Sequence, residues 1–323
     1  MKILFLGDVM LGRTLNEVLE DYAAEYPWGD TLPILRGADL RMCNLECVIS
    51  DRGEPWPKKM FVFRTDAKNI RVLKIAGMDV VANANNHALD FGSEALQDMN
   101  KTLDAAGIAH AGAGEDLAAA SAPTFLERQG LRLAFLSFTD NEPGWEAGKN
   151  KPGVFFVPLD TKDGRAKRLF DLVKQAKSKS DLLVVSAHWG GNWGYAPDAP
   201  HPEFAHSLIE AGADIIFGHS CHVFRGIEIY KGKPIIYGAG DFIDDYAVDE
   251  AERNDRSCIF IVGTDGSRIK NLQLMPTVIR DYQARLADQS EAKIIADKMR
   301  DLCLALGTAS RWDNSDRALE IAV

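Results

Sequence analysis

The chain has 323 residues, 46% of them hydrophobic and 26% charged, which is ordinary for a large globular protein. Its formal net charge of −10 argues against nonspecific electrostatic binding to nucleic acid or to an anionic membrane surface. Five cysteines without framework spacing, and no stretch apolar enough for a signal peptide or a membrane span, predict a cytoplasmic protein with reduced thiols.

Apolar runs alternate with helical patterns over the first two thirds of the chain. The runs predicted to form strands are residues 2–6, 40–44, 79–82, 131–138, 182–187 and 214–217. The segments predicted to form helices are residues 67–76, 93–106, 166–177 and 202–211. Strands that alternate with helices in this way indicate a layered α/β fold.

After residue 220 the pattern changes to hairpins. Strands are predicted at residues 223–230, 234–237, 258–264 and 269–279, with turns at residues 231–233 and 265–266. A helix near residues 291–306 precedes a polar tail, which we expect to be loosely held after Gly307. Because the sequence contains no repeat, low-complexity tract or linker, we predict a single domain over residues 1–323.

Five polar clusters directly follow predicted strands, at the carboxyl ends where layered α/β proteins gather their binding residues. They offer carboxylate, amide and imidazole groups, a mixture that suits Zn, Mn, Fe or Co better than Ca or Mg. The clusters are Gly7-Asp8, Asn44-Leu45-Glu46, Asn85-Asn86-His87, Ala187-His188-Trp189-Gly190 and Gly218-His219-Ser220-Cys221-His222.

Several of these residues also have an ordinary structural interpretation when taken alone. Asp8 is equally well a turn residue or helix cap, Glu46 can be a strand-end carboxylate, and Asn85-Asn86 can be a turn. A lone histidine such as His188 is more often a hydrogen-bonded structural residue than a ligand. His219 and His222 differ, because two imidazoles three residues apart after an apolar strand have few such uses. The coincidence of five clusters at strand ends therefore favours a metal site.

The motifs GDVM, NLE, NNHxxDxG, HWG, GHxxHxxxGIE and Gly240-Asp241-Phe242 lie within residues 1–246. In combination they resemble the CapA-type poly-γ-glutamate capsule biosynthesis family, part of the calcineurin-like metallophosphoesterase superfamily. The resemblance implies a four-layer α/β/β/α sandwich of two mixed sheets, with a metal centre at one edge. Residues 1–246 then form the motif core, and residues 247–323 form the C-terminal strands, helix and tail.

The resemblance also implies one or two divalent transition-metal ions, which would be Mn, Zn or Fe. His188 and His219 match ligands of one metal, whereas Asp8 and His222 match ligands of the other. The superfamily's histidine position in the first motif is occupied by Met10, whose thioether is a poor ligand for hard divalent ions. The full predicted ligand set is Asp8, Glu46 (with Asn44 as the less favoured alternative), Asn86, His188, His219 and His222.

Two further residues of the NNHxxDxG motif are candidates for catalysis. His87 matches the histidine that protonates the leaving group in the superfamily. Asp90 either orients His87 through a hydrogen bond or caps the helix that follows, and the sequence favours neither. The acidic run at residues 241–249 is predicted to be a solvated face.

Candidate substrate-binding residues lie in or near the motif-bearing segments. Arg13, Arg64 and Arg225 suit bidentate capture of a carboxylate or phosphate, but each is equally well a solvated surface arginine. We expect one of the three to bind substrate. Trp189 belongs to the aromatic segment HWGGNWGYAP, which either lines a substrate cleft or fills the core.

The leading hypothesis is a metal-dependent hydrolase that acts on a phosphoester or on a γ-glutamyl amide, the amide being suggested by the family alone. Its substrate would be a small molecule or an anionic polymer, with no nucleic-acid or membrane partner. The alternative is a non-catalytic protein that binds or assembles the capsule polymer and keeps a structural metal. Capsule proteins of the family usually carry an N-terminal membrane anchor, and its absence from this sequence favours the enzyme.

Overall fold

The computed structural model describes all 323 residues. Short 3-10 helices lie at Tyr26–Thr31, Ala67–Asn69 and Pro143–Trp145. None of the α-helices combines the length and the apolar character needed to cross a bilayer. They are α1 (Thr14–Asp21), α2 (Leu32–Arg36), α3 (Ile70–Ala76), α4 (Gly92–Ala106), α5 (Leu117–Ala120), α6 (Gly164–Lys177), α7 (Pro200–Ala211) and α8 (Gln289–Ala305).

The strands fall into two large sheets and two small ribbons. Those up to residue 139 are β1 (Lys2–Val9), β2 (Leu40–Leu45), β3 (Val48–Ile49), β4 (Arg64–Thr65), β5 (Val80–Ala82), β6 (Ala109–Ala111), β7 (Ala113–Gly114), β8 (Thr124–Arg128) and β9 (Leu131–Thr139). The remainder are β10 (Gly153–Val154), β11 (Leu182–His188), β12 (Ile215–His219), β13 (Ile227–Tyr230), β14 (Lys233–Ile236), β15 (Asp241–Ile243), β16 (Arg256–Asp265), β17 (Arg268–Arg280), β18 (Gln283–Leu286), β19 (Ser310–Asp313) and β20 (Ala318–Ile321).

Both large sheets are mixed, which confirms the expected α/β class. The larger has the order β19-β20-β17-β16-β1-β2-β5-β6, with β15 paired to β1 and β18 to β17. The smaller has the order β13-β14-β12-β11-β9-β8. Within them β1, β2 and β5 are parallel, as are β9, β11 and β12. The carboxyl ends of each parallel group therefore meet at one edge.

Three apolar cores surround these sheets. Leu4 and Leu6 of β1 belong to a core that includes α1, α3 and α4, while Ile3 and Phe5 belong to a second core shared with the smaller sheet. The Phe5 ring lies 5.2 Å from the ring of Phe217 on β12. A third core joins α6 and α7 to the smaller sheet. Burial of β1 on both faces explains why its sequence is a nearly continuous apolar run.

The predicted strands and helices of residues 2–217 are present with small shifts at their ends. The turn at residues 231–233 is also confirmed, because Lys231 and Gly232 both have positive φ, as a two-residue hairpin turn of this type requires. The strand predicted to begin at residue 223 begins only at Ile227, since residues 220–226 form a loop that carries His222.

The prediction of a loosely held tail after Gly307 is wrong. β19 and β20 form a hairpin, and β20 pairs with the long strand β17. Ala318, Leu319 and Ile321 are buried, the last two within the core between the sheets. The hairpin is stabilised by contacts with strands distant in sequence, which local polarity does not reveal.

Candidate metal centre and adjoining cavity

The polar clusters that follow the parallel strands of the two sheets converge on one site. Asp8 lies near the end of β1, and Glu46 directly follows β2. The smaller sheet contributes the last residues of β11 and β12, His188 and His219. All four side chains are buried. The site thus lies where the carboxyl edges of two sheets meet, as the sequence predicts.

Asp8, His188 and His219 form one of two compact groups of potential metal ligands. One ligand atom from each lies within 4.8 Å of the others. His188 Nδ1 is 2.8 Å from His219 Nδ1, and His219 Nδ1 is 3.9 Å from Asp8 Oδ1. Ser186 Oγ, 2.7 Å from His219 Nε2, fixes the orientation of that ring. Asp8 therefore adjoins the histidine pair, whereas the resemblance assigned it to the other metal.

Glu46 lies beside this group, with its Oε2 atom 3.7 Å from His188 Nδ1. Asn44 donates hydrogen bonds from Nδ2 to Asp8 Oδ1, at 2.8 Å, and to Glu46 Oε2. Asn85 in turn donates to Asn44 Oδ1 at 3.0 Å. Asn44 thus presents its amide nitrogen to both carboxylates, a donor that holds ligands in place and cannot itself bind a cation.

Several buried polar atoms at this site have no hydrogen-bond partner. An unpaired buried polar group costs about 1–3 kcal/mol, more when charged, so a cluster of them is unusual in a folded protein. Carboxylate and amide oxygens and an imidazole nitrogen are the donors that a divalent transition metal accepts, so the residues present fit such an ion. The unpartnered atoms are Asp8 Oδ2, Glu46 Oε1, Asn86 Oδ1, His188 Nε2 and Asp241 Oδ2.

Burial shifts the pKa values of the cluster in opposite directions for acids and bases. It raises the pKa of Asp8 to about 6 and that of Glu46 well above its usual value. Burial lowers the pKa of His219 to about 3 and that of His188 well below its usual value, the latter aided by repulsion from His219. The imidazoles are therefore neutral at pH 7, as metal ligands must be.

A second group consists of Asp8, His222 and Asp241, again with one ligand atom each within 4.8 Å of the others. His222 Nδ1 lies 2.9 Å from Asp241 Oδ1. Asp241 and Asp244 are buried, so the expectation that residues 241–249 form a solvated face is wrong for these two. A run of acidic residues normally indicates an exposed segment. Here the pairing of β15 with β1 turns the Asp241 carboxylate inward, and the local sequence does not reveal that pairing.

His87 and Asp90 form a closely coupled pair at the rim of the site. His87 Nδ1 lies 2.6 Å from Asp90 Oδ2, and its Nε2 atom lies 3.9 Å from Glu46 Oε1. The ring stacks on Phe63 with centroids 3.9 Å apart. The residue that precedes α4 is Phe91, which makes no side-chain cap. Asp90 therefore orients His87, and the helix-cap alternative is wrong.

Lys59 is a site residue that the sequence did not indicate. Its ammonium group contacts Asp90 Oδ1 and the Asn86 carbonyl oxygen, and lies 3.4 Å from His87 Nδ1. It also lies 4.6 Å from the centre of the Trp145 ring. Lys59 belongs to a segment without regular structure, so nothing in its neighbours along the chain predicts this position.

An open cavity of about 410 Å³ lies beside the second group of ligands, through His222, and beside Asn86 and His87. His87 and His222 reach its wall, together with Trp193, which is 39% exposed. Arg13 and Lys59 provide the positive charge of the lining. The cavity thus offers a route from solvent to His87 and to the edge of the metal centre.

Only one of the three candidate arginines lines the cavity. Arg13 lies 3.4 Å from Asp245 Oδ2, 5.6 Å from the centre of the Phe63 ring and is partly exposed. Arg64 instead stacks on Phe91 and donates to backbone carbonyls. Arg225 is buried, where it donates to the carbonyl oxygens of residues 193 and 194. The structure therefore places Arg13 on the cavity lining and Arg64 and Arg225 away from it.

The aromatic segment after β11 divides between core and cavity. Trp189 is fully buried, donates from Nε1 to the Tyr237 carbonyl oxygen at 3.0 Å, and stacks on His201. The structure therefore places Trp189 in the core, which is one of the two alternatives that the sequence leaves open. Trp193, four residues on, is the aromatic residue of this segment that lines the cavity.

Comparison with known proteins agrees with these motifs. Residues 2–246 match the model of the family described as bacterial capsule synthesis protein PGA_cap. A probable polyglutamine synthesis accessory protein of Mycobacterium tuberculosis is 32% identical over 357 aligned residues, covering 97% of this chain and 94% of the relative. The PGA biosynthesis protein CapA of Bacillus subtilis is 32% identical over 244 residues, covering 75% of this chain and 62% of the relative.

The fold is also similar to a solved structure. A hypothetical protein from Thermus thermophilus aligns with a TM-score of 0.52 and 16% identity, covering 85% of this chain and 98% of that chain. At this identity the likeness concerns the fold alone.

Proposed function

Since the chain belongs to the PGA_cap family of bacterial capsule synthesis proteins, we propose that it is a metal-dependent hydrolase. Its substrate would be a phosphoester or a γ-glutamyl amide. Both groups occur in molecules that carry negative charge. The amide class is suggested by the names of the relatives, one of which is described as a PGA biosynthesis protein. The phosphoester class is suggested by the resemblance of the site to metallophosphoesterases.

The observation that carries this proposal is the set of buried, unpartnered ligand atoms beside an open cavity. Asp8, His188 and His219 would hold the ion, with Glu46 beside His188 and the unpartnered Asn86 Oδ1 on a residue of the cavity lining. A donor set of oxygen and imidazole nitrogen suits Mn, Zn or Fe. When bound, such an ion supplies Lewis acidity and lowers the pKa of a water molecule.

His87 is the residue best placed to move a proton. Asp90 holds its Nδ1–H, so the neutral ring has its free lone pair on Nε2, the atom directed toward Glu46. Burial lowers the pKa of His87 to about 4, against the opposing effect of Asp90, so the ring is neutral at pH 7. Nε2 can then accept the proton that the attacking water loses and, because the pKa of the ring is low, release it readily to the leaving group.

Arg13 and Lys59 would bind the anionic part of the substrate. Arg13 presents a partly exposed guanidinium to the cavity, and its planar donors suit a carboxylate or a phosphate. Lys59 adds a second positive charge on the same lining. Trp193 and the other apolar lining residues would cover the uncharged part of the substrate.

We further propose that the two sheets and their flanking helices form the four-layer α/β/β/α sandwich of the calcineurin-like superfamily. The arrangement of three apolar cores, one between the sheets and one under each outer set of helices, supports this. The five cysteines are all buried and free, which supports a reducing compartment such as the cytoplasm.

The alternative is a non-catalytic protein that binds the capsule polymer and keeps the metal for structure. It is favoured by the name of the mycobacterial relative, which describes an accessory protein in synthesis. The two functions differ in whether metal-loaded protein turns over any substrate.

The test is hydrolysis by protein loaded with Mn²⁺ or Zn²⁺, using generic phosphomonoesters, phosphodiesters and γ-glutamyl peptides. We expect turnover of at least one class, a loss of about 10²–10⁴-fold in His87→Ala, and a comparable or greater loss in His188→Ala. Lys58→Met, an exposed change next to Lys59 in sequence, is the matched control and should retain activity. Activity that survives His188→Ala would contradict the proposal, and metal-loaded protein without turnover would favour the alternative.

A further inference from the structure

Met10 occupies the position where the superfamily's first motif has a histidine, and it contributes nothing to the site. Its side chain is fully buried in the core that includes α1, α3 and α4. The sulfur atom accepts a hydrogen bond from the backbone N–H of Gly12 at 3.0 Å. A cation near Asp8 and His222 would therefore lack the ligand that this position provides elsewhere.

The fold places a carboxylate beside Asp8 from a distant part of the chain. β15 pairs in parallel with β1, and Asp241 is the register partner of Asp8. The pairing includes a hydrogen bond from the Asp8 N–H to the Gly240 carbonyl oxygen at 3.0 Å. Side chains directly opposite each other on neighbouring strands lie on the same face, so both carboxylates enter the site together.

Glycine at position 7 makes this close approach possible. A Cβ atom built on Gly7 would lie 1.8 Å from the Gly240 carbonyl oxygen. No other residue fits there without moving β15 away from β1. The Gly-Asp pairs at residues 7–8 and 240–241 thus pack directly against each other, and this contact brings their carboxylates side by side.

The surroundings of these carboxylates are those of a cation site. Asp8 and Asp241 are each at most 1% exposed, and one oxygen atom of each has no hydrogen-bond partner. His222, the third member, adopts a left-handed backbone conformation with φ of 59°. Strain of this kind persists where the surrounding structure imposes it, and it is concentrated at functional sites.

We propose that Asp8, Asp241 and His222 bind a second divalent cation, and that Asp241 provides the ligand that Met10 cannot. The inference rests on the proposed function, because Asp8 also belongs to the first metal position. Two carboxylates and one imidazole are richer in oxygen than the first group, which has one carboxylate and two imidazoles. The second position therefore favours a harder ion such as Mn²⁺.

The experiment is a calorimetric titration of chelator-treated, full-length protein with Mn²⁺. We expect two equivalents in the wild type. Asp241→Asn keeps the shape of the side chain and an oxygen that can accept from His222, but removes the charge. In this variant the second equivalent should weaken by about 100-fold or more while the first is retained. Glu250→Gln, an exposed change in the same acidic segment, should bind two equivalents.

An electron paramagnetic resonance spectrum of the Mn²⁺-loaded wild type gives a readout that does not depend on the variant folding. Two ions that share Asp8 should show the spectrum of an exchange-coupled pair. Two equivalents retained at unchanged affinity in Asp241→Asn would overturn the role of Asp241. A single uncoupled equivalent in the wild type would overturn the second position and leave the first intact, whereas no binding would also contradict the proposed function.

Discussion

Asp90 connects His87 to the segment that contains Lys59 and Phe63, two residues of the cavity lining. One of its oxygens holds His87, and the same oxygen accepts from the Phe63 N–H at 2.6 Å. Its other oxygen binds Lys59. Because Asp90 is fully buried, the ammonium group of Lys59 is the cation that compensates its charge. The orientation of His87 thus depends on a residue far away in sequence.

Replacement of Lys59 by methionine tests this dependence. Lys59→Met would leave the Asp90 carboxylate buried without its cation, and His87 would lose its fixed orientation. We expect kcat/KM for the substrate class found active to fall about 10–100-fold, with metal stoichiometry unchanged. Lys58→Met, at the neighbouring exposed lysine, should change kcat/KM by less than about twofold. Equal effects of the two substitutions on kcat/KM would show that Lys59 contributes only one positive charge to the surface and does not orient His87 through Asp90.

Acidification should weaken metal binding. Burial raises the pKa of Asp8 to about 6, so below that pH the metal-free protein carries a proton on this ligand. A cation must then displace the proton, and each proton displaced lowers the affinity about tenfold per pH unit. Between pH 7 and pH 5 the Mn²⁺ affinity measured by calorimetry should fall at least about tenfold. An affinity independent of pH over this range would contradict a carboxylate ligand with a raised pKa.

At the scale of secondary structure, the site depends on strand ends and on one pairing. Two pairs of parallel strands, β1 with β2 and β11 with β12, end at the candidate metal centre. They do so because the carboxyl ends of parallel strands lie at the same edge of a sheet. β15 has only three residues, yet it delivers Asp241 to Asp8. The far end of the same large sheet is closed by the hairpin β19–β20, which also covers part of the core between the sheets.

The C-terminal hairpin should contribute measurably to stability. Leu319 of β20 is buried in the core between the sheets, so Leu319→Ala should lower the free energy of unfolding by about 2–5 kcal/mol. Asp316→Asn, at the exposed turn of the same hairpin, should change it by about 0.5 kcal/mol or less. Denaturant titration followed by circular dichroism measures both. A Leu319→Ala variant as stable as the wild type would mean that the tail is loosely held.

At the scale of the whole molecule, the sequence predicts well what depends on local pattern. Apolar runs located the parallel strands, and the polar residues after them located Asp8, His188 and His219. Contacts between distant segments were not predictable in this way. Lys59 reaches Asp90 from a loop, and Asp241 reaches Asp8 through a pairing that spans most of the chain.

The same limit applies to Trp189 and Arg225, two predicted substrate-binding residues that the structure places away from the cavity. Arg225 and Trp189 lie close to ligands in sequence, but both are buried in other contacts, Arg225 with the carbonyl oxygens of residues 193 and 194 and Trp189 with Tyr237 and His201. Trp189 directly follows His188 and turns into the core of the smaller sheet. A polar residue at the end of a parallel strand, such as His188, can therefore be assigned to the site from sequence. A residue that merely lies next to it in the chain, such as Trp189, cannot.

Metal removal should destabilise the whole protein, because buried carboxylates of the site then face one another without a cation. An ion present at about 1,000 times its dissociation constant stabilises the folded state by about 4 kcal/mol. We expect a chelator to lower Tm by about 5 °C or more. The Tm of His219→Ala should respond much less to chelator. A wild-type Tm that is unaffected by chelator and by added Mn²⁺ would contradict a bound ion at this site.

Anomalous X-ray diffraction from crystals of protein purified without chelator, or reloaded with Mn²⁺ or Zn²⁺, shows directly whether Asp8, His188 and His219 bind a metal ion. Data collected on both sides of the absorption edge identify the element and its position. We expect an anomalous peak among Asp8, His188 and His219, the group whose ligand atoms lie within 4.8 Å of one another. The absence of a peak there after reloading, with the three side chains in place, would contradict a metal-dependent hydrolase.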